Sequence, residues 1–591
     1  MTRHAVLSVP DQSDWREPFF SERRIRTLLL LGVVLWLGLA VVLPLGQLLA
    51  KSLYDGNDAF VGLANFRAYF ANPALSRSLA NSLRVALATT ALAVPLGFAF
   101  AYGLTRTAMP GKGFFRGLAM APLFAPTLLY GITLIYLFGR KGLVTTGFFG
   151  FFSRVLGVDA GCDIGLYGPV GIVISETIFT FPQAMLILSI ALRTTDARLY
   201  EAARSLGASP ARIFFTVTLP GVKYGLLSAV FVCFILSFTD FGAPKVVGGP
   251  YNVLATDIYK HVIGQQNFAM GATVGVVLLF PTLLAFFLDR LAQRRQASLI
   301  VARAVPLPPC QTIWVNRLYF VFCSCIAFLL ITFLATALFA SLVRVWPYDL
   351  SLSLRHFRFG DMGGGGYAAL GNSMAMAVLS AVIGTAATFG SAYLVEKTQG
   401  ASALRQTAYF LAMVPLALPG LVIGLAYIFF FNAPGWRLAG VDLPNPVHWL
   451  YGTMGILVLA NVVHFYSVCF LTATTALKQL DKEFEAVSES MAVPFYKTFW
   501  RVTVPVCLPA VLEIAQFLFV NAMATVSAVI FLYSADIPLA SVAVANMDDA
   551  GDTAPAAAMS VCIVAVSILA RLLSGALAAR LSRRSQRWLA P

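Results

Sequence analysis

The sequence predicts an all-α membrane protein of about twelve transmembrane helices, arranged as two parallel six-helix repeats. Three observations carry this: apolar runs of spanning length recur along the whole chain, few charges interrupt them, and segments of the first half return in the second at an offset of 291 to 293 residues.

The chain has 591 residues, of which 59% are hydrophobic and 12% charged, with 47 phenylalanines. A soluble domain carries about 25% charged residues to cover its surface. A bilayer core is crossed by a helix of about 20 residues. Runs of that kind fall near 27–50, 79–105, 114–138, 166–192, 222–244, 268–291, 317–342, 372–395, 406–431, 449–476, 507–533 and 556–580. They are unbroken rather than alternating every second residue, so they are helices and not barrel strands.

Orientation follows from Lys and Arg in the connections. With the N-terminus inside, the inward segments hold the larger share of the 42 basic residues, including Arg23, Arg24 and Arg26 before the first run and Arg580, Arg583, Arg584 and Arg587 after the last. The last outward loop, around Asp548, Asp549 and Asp552, has no Lys or Arg. Both termini are therefore expected in the cytoplasm. Inward flanks facing anionic lipid account for most of the net charge of +15, so nucleic acid is not needed as a partner. The run from Leu28 to Ala50 exceeds a signal-peptide core of about 7–15 residues and reads as an uncleaved first span. Eight scattered cysteines, with Cys162 alone in an outward loop and no CxxC spacing, give no disulfide framework or metal site.

MAPLFAPTLLYG (Met120 to Gly131) returns as MVPLALPGLVIG (Met413 to Gly424). Phe66-Arg67 precedes Asn81-Ser82 by the same spacing as Phe357-Arg358 precedes Asn372-Ser373. Six spans per copy give the two copies the same orientation, a parallel repeat. The boundaries are a cytoplasmic segment 1–27, a first core 28–292, a basic Pro-containing linker 293–316, and a second core 317–591. Pro122/Pro126 and Pro415/Pro419 fall inside spans, where they loosen the backbone ladder and neighbouring groups must satisfy the freed carbonyls.

EAARSLGASPARIFFTVTLP (201–220) lies in an inward loop, 196–222, between the fourth and fifth spans. Leu199, Ala202, Ala203 and Leu206 form an apolar stripe at i, i+3, i+4 and i+7. Gly207 permits a sharp turn, Pro210 opens a second helical piece and Pro220 closes it. The repeat predicts a second loop, 481–505, and EAVSESMAVPFYKTFWRVTVP (485–505) is a degenerate copy of the first. Glu485 and Ala486 keep the start, Val487 replaces the third Ala and Met491 stands where Gly is expected. From Glu to the closing Pro the interval is 20 rather than 19.

Glu201-Ala202-Ala203, three residues, Gly207, nine residues, then Val217-Thr218-Leu219-Pro220 resembles the EAA loop of binding-protein-dependent ABC importer permeases, whose signature usually has Ile where this chain has Val217. The resemblance extends over nearly the whole chain, as two cores of the type I ABC importer permease fused head to tail. It implies that Glu201, Ala202, Ala203, Leu206 and Gly207, with Glu485, Ala486, Val487 and Met491, dock into the cleft of a cytoplasmic ATPase. It also implies two ATPase copies, a periplasmic solute-binding protein and a bacterial inner-membrane location. No G-x-x-x-x-G-K-[ST] occurs, so ATP and Mg are expected on the partner ATPase, with no catalysis and no bound cofactor on this chain.

Polar residues inside spans are the pathway candidates: Glu176, Gln183, Asp240, Asn461, His464 and Asn521. Each has the alternative of internal helix–helix bonding. Glu513, near an inner end, is expected in a structural pair. Asp552, before Thr553-Ala554-Pro555, is expected as an N-cap rather than part of a calcium loop.

Fused permeases of this kind resemble importers of ferric iron, thiamine or polyamines and 2-aminoethylphosphonate. Stretches 238–271 and 539–559 look most like the 2-aminoethylphosphonate group, and a zwitterion suits Asp240, Lys245 and His464. Glu176 and Asp240 equally suit a ferric complex. A proton-coupled secondary transporter also has two parallel halves, but leaves the repeated Glu-Ala loop unexplained.

Overall fold

The computed structural model describes residues 22–150, 161–297, 305, 307–361, 365–397, 401–438, 441–481, 483–491 and 493–585. The predicted N-terminal segment before residue 22, and 298–304 and 306 of the predicted linker, lie outside these.

Among the described residues eight straight helices are long and apolar enough to cross a membrane: Arg24–Lys51, Pro73–Arg106, Pro169–Arg193, Phe268–Gln293, Ile313–Leu342, Gly366–Lys397, Met454–Gln479 and Thr553–Leu581. Four bent pairs bring the number to twelve: Lys112–Phe124 with Thr127–Phe138, Pro210–Gly221 with Lys223–Thr239, Ser402–Ala417 with Gly420–Phe431, and Phe495–Val506 with Leu508–Ala524. Each overlaps one predicted run, although the fifth and eleventh begin inside the predicted inward loops and end at Thr239 and Ala524, short of the predicted 244 and 533. The all-α, two-repeat architecture expected from the sequence is the one observed.

Burial sorts the spans into outer and inner. The most apolar stretch of the seventh span (Ile313–Leu342) is 22% buried and that of the tenth (Met454–Gln479) is 61% buried. Phe328 and Leu329 on the seventh, and Leu28 and Leu35 on the first, stand exposed. Water would penalise such continuous apolar faces, whereas lipid does not.

The two halves are interlocked. The first span (Arg24–Lys51) packs on the second half, where the Tyr427 hydroxyl donates to the Ala40 carbonyl (2.9 Å) and Trp36 meets Tyr466 edge-on at 6.3 Å. The seventh span packs on the first half, with Tyr319 stacked on Tyr102 (5.4 Å) and Phe333 on Tyr130 (5.6 Å). The cores 28–292 and 317–591 are thus units of sequence, but in space each gives its leading span to the other. Connections 52–72 and 343–365 are long enough to carry the chain across.

The Asn-Ser pairs have a shared structural task. Asn81 Nδ2 donates to the Asn252 carbonyl (3.0 Å) and the Leu254 N–H donates to Ser82 Oγ (2.9 Å). In the second half Asn372 Nδ2 donates to the Pro538 carbonyl (3.1 Å) and the Ala540 N–H to Ser373 Oγ (2.8 Å). Each pair pins the start of a short helix, Leu254–Tyr259 or Ala540–Asp549, against the second span of its repeat. Buried backbone groups at a helix start need such partners.

The prolines break their spans rather than merely kink them. Pro126 (φ −63°, ψ 145°) and Pro419 (φ −60°, ψ 143°) are extended, and the third and ninth spans turn there by 103° and 113°. A proline holds the residue before it out of the helical region, and Ala125 and Leu418 are extended accordingly. The carbonyls left by the prolines are taken up by the tightened turn, where the Ala125 N–H donates to the Pro122 carbonyl (3.2 Å) and the Leu418 N–H to the Pro415 carbonyl (3.1 Å). Side chains add to this: the Tyr130 hydroxyl also bonds the Pro122 carbonyl and Ser467 Oγ the Ala412 carbonyl (2.7 Å). The segment after the fifth span crosses the first break so closely that a Cβ on Gly242 would strike Thr127 Oγ1 and come within 2.9 Å of the Leu128 nitrogen. At the second break a Cβ on Gly420 would strike Ser527 Oγ.

Gly242→Ala is therefore expected to destabilise the chain by about 1–3 kcal/mol. Gly117→Ala, inside the helix Lys112–Ala119 where a Cβ meets nothing within 4 Å, should not destabilise it. Thermal unfolding of the two purified variants in detergent checks the contrast.

Candidate translocation cavity and coupling loops

A cavity of about 330 Å³ lies where the two breaks face each other. Pro126 and Thr127 line it from the first half, Pro415 and Pro419 from the second. Four of the six predicted pathway residues also line it: Gln183 on the fourth span, Asp240 after the fifth, His464 on the tenth and Asn521 on the eleventh. Phe179, Phe465 and Phe517 make up much of the apolar wall. No Lys or Arg is among the lining residues. Thr127 and Ser527 are lining residues that sequence reasoning passed over, although Thr127 directly follows the repeated Pro motif.

The polar groups differ in how far they are already engaged. Asp240 accepts the Ala243 N–H at 2.9 Å and is also bonded by the Thr127 hydroxyl, so it caps the short helix Gly242–Val247. Asn521 Nδ2 donates to the Phe517 carbonyl (2.8 Å). Among the described residues the Gln183 amide and His464 Nδ1 have no hydrogen-bond partner. Both side chains line the cavity, but the unpartnered His464 Nδ1 is itself a buried atom, which leaves the Gln183 amide as the group open to a passing solute.

Glu176 and Asn461 are not among the cavity-lining residues. Glu176 Oε2 accepts from Thr89 (3.2 Å) and from Ser237, which joins the second, fourth and fifth spans. Asn461 Nδ2 donates to the Leu457 carbonyl (3.0 Å) and contacts Met376 Sδ (3.3 Å) on the eighth span. Glu513, expected in a structural pair, is exposed and has no ion-pair partner among the described residues. Lys245, grouped above with Asp240 and His464, is outside the cavity. It pairs with Asp549 of the second half at 2.6 Å and sits 4.7 Å over the Tyr259 ring. Burial and the adjacent Asp549 push the Asp548 carboxyl up to about 6, against the pull of Lys245. Asp552 directly precedes the last span at its N-cap position, and its carbonyl accepts the Ala556 N–H (3.1 Å).

The first loop is a helix, Ala197–Ser205, capped by Asp196, which accepts the Arg198 N–H at 3.0 Å. Its underside is anchored by Tyr200, whose hydroxyl donates to Thr218 Oγ1 (3.1 Å) and whose ring lies 5.3 Å from the Arg106 guanidinium. Its upper side is free: Glu201 and Ala202 are exposed, and Leu206 is 86% exposed. Gly207 takes φ +71°, and the Ala208 N–H closes back on the Ala203 carbonyl (3.0 Å). An L side chain at Gly207 would be strained. A second piece from Pro210, capped by Ser209, then bends by 65° into the fifth span.

The second loop, Glu483–Ser490, closes in the same way, through the Val493 N–H and the Ser488 carbonyl (2.9 Å). Both loops continue into a widened helical turn, Phe214–Thr218 and Phe499–Thr503. These features register the loops 285 positions apart. In that register Gly207 corresponds to position 492 and Tyr200 to Glu485, one residue from the alignment read on the Glu-Ala pairs. Glu485 is drawn inward by Lys397 (2.9 Å), while Ala486, Val487 and the 71%-exposed Met491 face outward. The anchors Tyr200, Arg106 and Lys397 carry no motif and were not legible beforehand.

A largely apolar cavity carrying a few polar groups, at the interface of two repeats and flanked by spans broken at proline, is an architecture suited to a membrane-embedded transport subunit. The sequence matches the family profile described as "Binding-protein-dependent transport system inner membrane component" twice, over residues 93–298 and 398–583. The chain belongs to that family, as a permease in which two cores are fused. It is 28% identical over 554 residues to the ferric transport system permease protein FbpB of Actinobacillus pleuropneumoniae, covering 91% of this chain and 76% of that one. It is 24% identical over 522 residues to the Fe(3+)-transport system permease protein FbpB 2 of Haemophilus influenzae, covering 87% and 91%. A protein of Salmonella choleraesuis named as a 2-aminoethylphosphonate transport system permease, PhnU, is 28% identical over 255 residues, covering 43% of this chain and 86% of its own length.

Tyr200→Phe removes one buried hydroxyl and is expected to loosen the first loop by about 1 kcal/mol. Faster amide hydrogen exchange across 197–205, with exchange at the second loop unchanged, is the outcome to look for.

Proposed function

We propose that this chain forms the conducting pathway for ferric iron in a binding-protein-dependent ABC importer, and that 2-aminoethylphosphonate, ranked first on sequence texture, is the second reading. The observation that carries the proposal is the span of the similarity. Relatives named as ferric permeases align with this chain across both cores, whereas the PhnU similarity covers less than half of it.

The chemistry of the cavity supports the same order. A phosphonate is anionic, and the lining offers it no Arg or Lys. Imidazole, amide, hydroxyl and carboxylate groups suit a hard cation. Among the described residues no three His, Cys, Asp or Glu gather into a metal site. That fits a conduit, which must hold its cargo weakly enough to release it.

In this reading both termini are cytoplasmic and a periplasmic binding protein delivers cargo to the far side. Two ATPase copies dock on the loops, through Glu201, Ala202, Ala203, Leu206 and Gly207 and through Glu485, Ala486, Val487 and Met491. Closure of the ATPases pushes the two short helices, and the bends into the fifth and eleventh spans transmit the push to the cavity wall. Gln183 and His464, which line the cavity, meet the cargo, while Asp240 and Asn521 shape the wall. Glu176 and Asn461 hold helices together.

The test is reconstitution in proteoliposomes with the cognate ATPase and binding protein. Stimulation of ATP hydrolysis by ferric-loaded binding protein, abolished by Glu201→Ala/Gly207→Pro, is the expected result. Stimulation only by protein loaded with 2-aminoethylphosphonate keeps the mechanism and overturns the cargo. Full stimulation of an assembled loop variant overturns the coupling role.

A further inference from the structure

At the end of the molecule opposite the two loops, a cleft of about 460 Å³ opens between the halves. It shares no lining residue with the central cavity. Arg140, Lys141 and Tyr167 wall it on the first half, and Arg344, Trp346 and His356 on the second. Three cationic side chains thus face one lining carboxylate, Asp552.

None of the three is closely neutralised. Arg140 has no ion pair among the described residues, Arg344 keeps a 3.7 Å contact with Asp349, and the Lys141 ammonium rests 5.0 Å over the Tyr348 ring. His356 adds an unsatisfied atom. Its Nε2 is bonded to the Val343 carbonyl (2.9 Å), so Nε2 carries the proton, and its Nδ1 is buried without a partner.

The arrangement is also held in place. The Trp346 indole N–H donates to the Lys141 carbonyl (2.9 Å), so the second half fixes the turn that carries Arg140 and Lys141. Trp346 packs edge-on against Tyr136 (5.0 Å) and Phe149 (4.9 Å), and the Tyr136 hydroxyl reaches Thr553 Oγ1 (3.1 Å) across the interface. The backbone that carries the cations is thus set before a ligand arrives, which lowers the cost of binding it.

We infer that this cleft is an oxyanion-binding site, taking a phosphate- or carboxylate-class group between Arg140 of the first half and Arg344 of the second. An oxyanion there bridges the halves at the end remote from the coupling loops. The inference does not depend on which cargo crosses the central cavity. The group has two sources: a free small anion, or an acidic side chain of the binding protein seated on that end.

The full chain, purified in detergent, is titrated with inorganic phosphate at constant ionic strength, with chloride as the control, and thermal unfolding and calorimetry are followed. Saturable stabilisation is expected, weakened at least tenfold in Arg140→Gln/Arg344→Gln. Arg140→Lys/Arg344→Lys should stay within about threefold, since charge is kept and only the fork geometry is lost. Affinity of the reconstituted chain for its binding protein, wild type against the Gln variant, separates the sources. Saturable, variant-sensitive phosphate binding supports a free anion. No phosphate saturation, but a tenfold loss of binding-protein affinity, supports an acidic side chain. If neither quantity responds to the substitutions, the site is refuted. Should the double Gln variant fail to fold, Arg140→Gln alone against Arg140→Lys carries the same comparison.

Discussion

Inside a bilayer a backbone N–H or carbonyl without a partner costs several kcal/mol, and this fold is organised around the places where it breaks helices in spite of that cost. At Pro126 and Pro419 the third and ninth spans turn by more than a right angle. Such breaks persist only where protein covers them. Gly242 and Gly420 let backbone approach each break to contact distance, the Ala125 and Leu418 N–H groups take up the Pro122 and Pro415 carbonyls, and the Tyr130 and Ser467 hydroxyls add bonds beside them. The cavity is a consequence: two broken spans facing each other across a pseudo-symmetric interface leave a space that two continuous helices would fill.

The exchange of leading spans makes that interface permanent. Tyr427 holds the first span and Tyr102 and Tyr130 hold the seventh, each on the opposite repeat. Movement of one half against the other must therefore carry a span from each repeat, or slide along these aromatic contacts. Lys245–Asp549 and Tyr136–Thr553 tie the halves again at the end away from the loops. The loops themselves are unequal: Glu201 stands free on the first, while Lys397 engages Glu485 on the second.

Much of this was legible. All twelve spans, their pairing into repeats and the loop between the fourth and fifth spans follow from apolar run length, matched prolines and the Glu-Ala-Ala/Gly spacing. Four of six pathway residues reached the cavity, because a polar side chain inside a span has few other places to go. Glu176 and Asn461 differ only in the direction they face, and the span in which each sits gives no sign of that direction.

The one-residue shift of the second loop shows where sequence reading fails. Glu485-Ala486 looks like the first loop's start, yet the Val493–Ser488 closure and the Phe499–Thr503 turn set the register one position later. The interval of 20 rather than 19 to the closing Pro already carried the shift, since Pro220 and Pro505 are 285 apart, but hydrogen bonding fixes where a helix ends and so which of the two offsets holds at the loop. The sequence by itself determined that the chain crosses a membrane in two repeats and that matched prolines loosen the third and ninth spans, because lipid solvation and proline geometry act on local stretches. Pro95, Pro182 and Pro281 sit inside continuous helices, so which prolines break a span was decided by tertiary packing. Only the tertiary structure decided which half each leading span serves, which buried polar groups meet the cavity, and that Arg140 and Arg344 face one cleft. Those are relations between residues far apart in the chain, set by packing that no local pattern encodes.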